Sequence, residues 1–190
     1  MKKSTPNHPS TCRIALRFAI VLLDLLVMLA PNSRAQNEPM LIQDVVDAAK
    51  LLPIFPDPPS GWTADKPEGQ TSDVSGSKIT TAHRDYKKGE GDNVPIASIS
   101  IIDSVANPDT IALTIESWKT NSETSEGYTK SVTIDGNPGS ESYEKERKHA
   151  ALRLLIANRY LLAIELQNQD PKELQDWVKR IDLKKLAAIK

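Results

Sequence analysis

The stretch from Leu152 to Leu166 constrains the fold most. Leu152, Leu154 and Ile156 alternate on one side, Asn158 marks a turn, and Tyr160, Leu162, Ile164 and Leu166 alternate on the way back. A period of two on both arms of a short turn is the pattern of a β-hairpin with one face in the core. The opposite face carries Arg153, Leu155, Leu161, Ala163 and Glu165, so it too is part apolar. A sheet with two part-apolar faces needs cover on both, which points to an α+β domain with helices on either side of an antiparallel sheet.

The flanking segments fit that reading. Lys78 to Tyr86 and Pro95 to Ile102 read as a hairpin around the turn-rich Lys88–Asn93. Tyr128 to Ile134 reads as a strand ending in Asp135-Gly136-Asn137-Pro138, a tight-turn signature. Gly139 to Lys148 returns as a strand so polar that an edge or solvent-facing place is expected. Asn121 to Gly127 reads as a loop.

Three helices are expected. The first starts near Pro39, with Ile42, Val45, Val46 and Ala49 at helical spacing, and breaks at Pro53. It is expected to pack on the domain rather than trail as an arm, because its apolar face would otherwise be wet. Asn107-Pro108 opens a second, with Ile111, Ile115 and Trp118 on one stripe. Asp170-Pro171-Lys172-Glu173 opens the last, with Leu174, Trp177, Val178 and Ile181 as its core stripe and Leu183, Leu186 and Ile189 extending it.

The chain begins with a cationic lead (Lys2, Lys3, Arg13, Arg17), followed by a 13-residue apolar run from Phe18 to Ala30 and by Ser33-Arg34-Ala35. These are the parts of a secretory signal peptide cleaved between Ala35 and Gln36. A membrane span needs about 20 apolar residues, and this run is shorter and carries Asp24. The only cysteine, Cys12, precedes the run, where it could not serve as a lipidation site after it. The expected organisation is therefore signal peptide 1–35, helix and Pro-rich linker 36–59, and one α+β domain 60–190. A periplasmic or secreted product with no stable membrane anchor follows.

Five of the 24 basic residues and one of the 25 acidic ones precede Gln36, leaving 19 and 24 and a net charge of −5. That balance argues against nucleic acid and anionic lipid as partners. With no cysteine after the leader, neither disulfides nor thiolate chemistry are expected.

His83 and His149 lack a second ligand at a metal spacing, and Asp85, Glu90 and Asp92 lack the alternation of a calcium loop. No Gly-rich phosphate loop and no nucleophile elbow occur. No catalytic, cofactor-binding or metal-binding residue is assigned, and no cofactor is expected. Trp118 and Trp177 fall on core stripes. Trp62, after the Pro-rich turn, either caps the end of the sheet or lines a groove, and is the one candidate contact residue for a ligand or partner.

Pro59-Ser60-Gly61-Trp62 before a meandering sheet, a helix at Pro108 to Trp118, the turn Val132-Thr133-Ile134-Asp135-Gly136-Asn137-Pro138-Gly139, a strong last hairpin and a closing helix form a familiar order. Over Ser60 to Leu183 the chain resembles the Mog1/PsbP-like superfamily, in particular its exported DcrB/LpqN-type branch. The resemblance implies a curved antiparallel sheet with helices on both faces, and an accessory or binding role in the bacterial envelope rather than catalysis, exercised on another envelope or secreted protein. Two other functions stay open: a small-ligand binder with a pocket near Trp62, and a hydrolase built from distant residues.

Overall fold

A computed structural model describes residues 44–74, 77–106 and 108–190. The leader, its cleavage site, the start of the first expected helix (Pro39, Ile42) and Asn107 lie outside the described residues. Among the described residues, nine strands form one open, curled antiparallel sheet, accompanied by a few short helices. The strands are β1 (Thr63–Ala64), β2 (Glu68–Val74), β3 (Ser77–Lys87), β4 (Ile96–Asp103), β5 (Ser122–Thr124), β6 (Gly127–Ile134), β7 (Asn137–Glu144), β8 (His149–Ile156) and β9 (Tyr160–Gln167). The helices are α1 (Pro108–Ser117), α2 (Glu173–Val178) and α3 (Leu183–Ala188). Strand order is β1-β3-β4-β9-β8-β7-β6-β5, with β2 pairing β3 beside β1.

The last hairpin forms as its alternation predicts, with Leu154 opposite Leu162 and Leu152 opposite Ile164. β4 extends the same inner face with Ala97, Ile99 and Ile101, all fully buried. Leu174, Trp177, Val178, Ile181, Leu183 and Leu186 close over this face and share its core. On the reverse face Ile111 of α1 and Trp118, just past its end, cluster with Leu155, and Leu161 packs beside them. Each face thus receives helices, α1 on one and α2 with α3 on the other.

Four departures from the sequence reading have local causes. The first expected helix is replaced, over its described part, by two 3-10 turns, Ala48–Lys50 and Leu52–Ile54. Val46 explains this: its N–H donates to Asp103 Oδ2 at 2.8 Å and its carbonyl accepts from Thr80 Oγ1 at 2.7 Å. Both groups are bonded to the sheet, and the next residue, Asp47, is extended (φ −61°, ψ 135°), so no continuous helix runs through the segment. The segment still packs on the domain, through Val46, Ala48, Leu51, Ile54 and Phe55.

The polar return strand β7 is interior, not an edge: it lies between β6 and β8, with Ser140 and Glu141 each 6% exposed. Gly139 permits this close packing, because a Cβ there would stand 2.1 Å from the Arg153 carbonyl oxygen. The expected loop 121–127 contains the edge strand β5, and polar β2 adds a strand at the other edge. The closing helix is split. Asp182 leaves helical geometry and accepts from Lys185 N at 2.8 Å, so one helix ends and α3 begins with its own cap.

Candidate functional site

Three regions of the surface and one buried cluster bring chemistry-bearing side chains together. Trp62 stands at the β1 end of the sheet, half-buried, with its ring edge-on to Trp177 at 5.0 Å and 86°. Trp177 in turn lies 4.9 Å from the Tyr86 ring, and Arg180 sits 6.0 Å from the Trp177 centroid. Tyr86 is buried and its hydroxyl donates to Pro56 O, which also accepts from Arg84. Burial pushes the Tyr86 phenol up to about 12, against a smaller opposing pull from the Arg84 charge. A cleft of about 220 Å³ lies next along the chain, lined by Thr63, Ala64, Asp65, Asp85, Tyr86, Lys87 and Ile96.

The reverse face of the sheet carries α1 at one end, and the register defines two rows of side chains across it. One row runs His83, Ser100, Ala163, Arg153 and Ser140; the next runs Asp85, Ser98, Glu165, Ala151 and Ser142. The middle of both rows is small. Ser98, Ser100 and Ala163 remain half-exposed, and Ala151 is covered by its neighbours. Charged groups stand around that floor: Glu165 lies 3.5 Å from His149 Nε2 and 3.3 Å from Arg153 Nη2. His83 stands on β3, with β4 and β9 between it and the β8 strand of His149, so the two imidazoles are not neighbours. Among the described residues no group of histidine, cysteine and acidic side chains could hold a metal ion, Asp85, Glu90 and Asp92 included.

At the far end, β6 and β7 place Tyr128 opposite Tyr143 and Lys130 opposite Glu141. Glu141 Oε1 accepts from the Tyr128 hydroxyl at 2.7 Å and lies 2.8 Å from Lys130 Nζ, while Lys130 sits 4.9 Å over the Tyr128 ring. Burial raises the Tyr128 phenol, and the Glu141 carboxylate that accepts its hydrogen bond raises it further. Two adjoining clefts flank Tyr128. One, of about 480 Å³, is lined by Asn121, Ser122, Glu123, Tyr128, Thr129 and Lys130; the other, of about 290 Å³, shares Ser122, Tyr128 and Thr129 and adds Ser142 and Tyr143. The sequence reading did not single out these residues. The Asp-Gly turn could have found them, because a two-residue turn fixes Ile134 opposite Asn137, and counting back pairs Lys130 with Glu141.

The buried cluster is Asp103 with Arg159. Asp103 has no exposed side-chain surface and meets the guanidinium through Nε at 3.0 Å and Nη2 at 2.7 Å. It also accepts from the backbone of Val46 and Val105. Every donor comes from the chain itself, so this cluster ties elements together and offers nothing to a ligand.

Among the described residues no helix is long and apolar enough to cross a membrane. No family model, curated protein or solved structure matches the chain.

Proposed function

We propose that the protein is exported, cleaved between Ala35 and Gln36, and acts as a non-enzymatic accessory protein that binds another envelope or secreted protein. The observation that carries this reading is the open part of the reverse sheet face. It offers a floor of Ser98, Ser100 and Ala163 with Glu165, His149 and Arg153 beside it. Small side chains let a partner approach the sheet closely, and the fixed charges beside them select its register. The Mog1/PsbP-like assignment belongs to the same proposal. What supports it is the element order: an antiparallel sheet, a helix between its two halves, a strong last hairpin and closing helices on the opposite face.

The test is site-specific photo-crosslinking in cells, with the reactive group placed at Ser98 or Ser100 and, as control, at exposed Glu90 in the β3–β4 turn. The two face positions should yield one shared protein adduct that Ala163→Arg abolishes. Adducts no different from the Glu90 control would overturn the docking face. An exported protein whose intact mass still includes Met1 would overturn the processing.

A further inference from the structure

The two edges of the sheet are finished differently. At one edge β5 is only three residues long, and the Asn121 side-chain oxygen accepts from Ser131 N where β6 runs past it. Short strands and side-chain caps of this kind keep an edge from templating another strand. The other edge is β2, with the two-residue β1 beyond it. β2 pairs one-to-one with β3 from Glu68–His83 to Val74–Ser77, over seven residues with no bulge and no proline. Parity shows which main-chain groups this strand turns outward. Asp85 O accepts from Asp65 N on the β1 side of β3, and β3 keeps an unbroken register with β4 from Thr80 to Lys87. The odd residues of β3 therefore face β2, where they pair with Glu68, Gln70 and Ser72. Gly69 and Thr71 lie opposite Ala82 and Thr80 as the non-hydrogen-bonded pairs, and the 2.7 Å contact between Thr71 Oγ1 and Thr80 Oγ1 fits that closer spacing. The main-chain N–H and C=O of Gly69 and Thr71 thus point away from the sheet, and among the described residues no group of the chain bonds them.

We infer that β2 is a self-association edge, on which a second copy of the chain pairs antiparallel about a two-fold axis through Thr71. The second copy is the occupant because the strand is complementary to itself in that register. Outward residues must meet outward residues for the ladder to form, and an axis at Thr71 sets Thr71 against Thr71 and Gly69 against Asp73. The side chains agree with it. Gln70 meets Ser72, amide to hydroxyl, Thr71 meets Thr71, and neither Glu68 nor Asp73 stands opposite another acid. Moving the axis to Gln70 or Ser72 leaves only 68–72 or 70–74 overlapped, whereas Thr71 uses the whole of Glu68–Val74. The axis stands perpendicular to the sheet, so the two inner faces fall on one side and the contact closes as an isologous dimer. One seven-residue strand per copy is a contact at the small end of interface sizes, so the dimer is weak and concentration-dependent.

Sedimentation of the purified protein between about 10 μM and about 1 mM should show a monomer–dimer equilibrium, the range of weak specific pairing. Thr71→Lys sets two ammonium groups face to face across the axis and Thr71→Glu two carboxylates, so each variant alone should stay monomeric. Thr71 is exposed, so neither change has to fit a core. Mixing the two variants puts opposite charges across the axis and should restore a heterodimer. In the wild type, exchange of the Thr71 amide should slow several-fold as concentration rises, a readout that needs no variant. Absence of association up to about 1 mM, or a Thr71 exchange rate independent of concentration, would overturn the inference. Dimers that persist in Thr71→Lys alone, or a mixture of the two folded variants that stays monomeric, would overturn it as well.

Discussion

Asp103 shows how one side chain can decide the path of a segment far from it in sequence. Its carboxylate takes Val46 N–H, Val105 N–H and two donors of Arg159, so it is buried and satisfied at once. Removing one member of a buried ion pair leaves the other charge unmatched and typically costs about 3–5 kcal/mol. Asp103→Ala should therefore lower stability in chemical denaturation by that order, and it also frees the Val46 amide. The double variant Asp103→Ala/Arg159→Ala should lose clearly less than the sum of the two single losses. Additive losses would mean that the pair does not couple.

Three phenols also act at this scale. Tyr86, Tyr128 and Tyr160 donate to Pro56 O, Glu141 Oε1 and Ile189 O, and burial raises all three above the ordinary tyrosine value. A group whose folded-state pKa is raised favours the protonated fold. Its contribution is intact below the unfolded value of about 10 and disappears as pH climbs through the folded value. For Tyr86 that window runs from 10.0 to about 12, each unit being worth about 1.4 kcal/mol. Alkaline unfolding followed by circular dichroism should coincide with phenolate absorbance in this range. Phenolate formation complete at pH 10 with the fold intact would contradict it.

At the scale of elements, the closing helices carry much of the inner core. Trp177 is 3% exposed and touches Trp62 and Tyr86. Truncating a buried Trp costs about 3–5 kcal/mol, so Trp177→Ala should depress the melting temperature sharply. His83→Ala, an exposed position on β3, should leave it nearly unchanged. A double-mutant cycle between Trp62 and Trp177 should give a coupling of about 0.5–1.5 kcal/mol for the edge-on pair. The elements legible in the sequence were those whose apolar period matched their burial: β3, β4, β6, β8, β9, α1 and the α2 stripe. Where tertiary partners override local pattern, the reading failed. Val46 gives its hydrogen bonds to the sheet, and β7 sits inside the sheet although it is polar, with Tyr128 and Lys130 both meeting Glu141 Oε1. Trp62, the candidate contact residue, stands half-buried against Trp177 at the β1 end of the sheet. The Tyr128–Glu141 site depends on strand register, which single-strand periodicity does not contain.

For the molecule as a whole, the pairing list has one exceptional member. Every strand pair joins segments that follow closely in sequence, except β4 with β9, where residues 96–103 meet residues 160–167. Two meanders, one ending at β4 and one running from β5 to β9, are thus sewn along a single line that includes Ile99 opposite Ile164 and Ile101 opposite Leu162. The entropy of closing a long loop is charged to that line alone. Assembly of this sheet is then a meeting of two nearly finished halves, and the seam should be the last part to form. Ile164→Val should accordingly speed unfolding and leave the refolding rate almost untouched, a split that stopped-flow kinetics reads directly. A chain built this way carries its slowest decision between two of its most apolar strands, where neither half can hide its inner face until the other arrives.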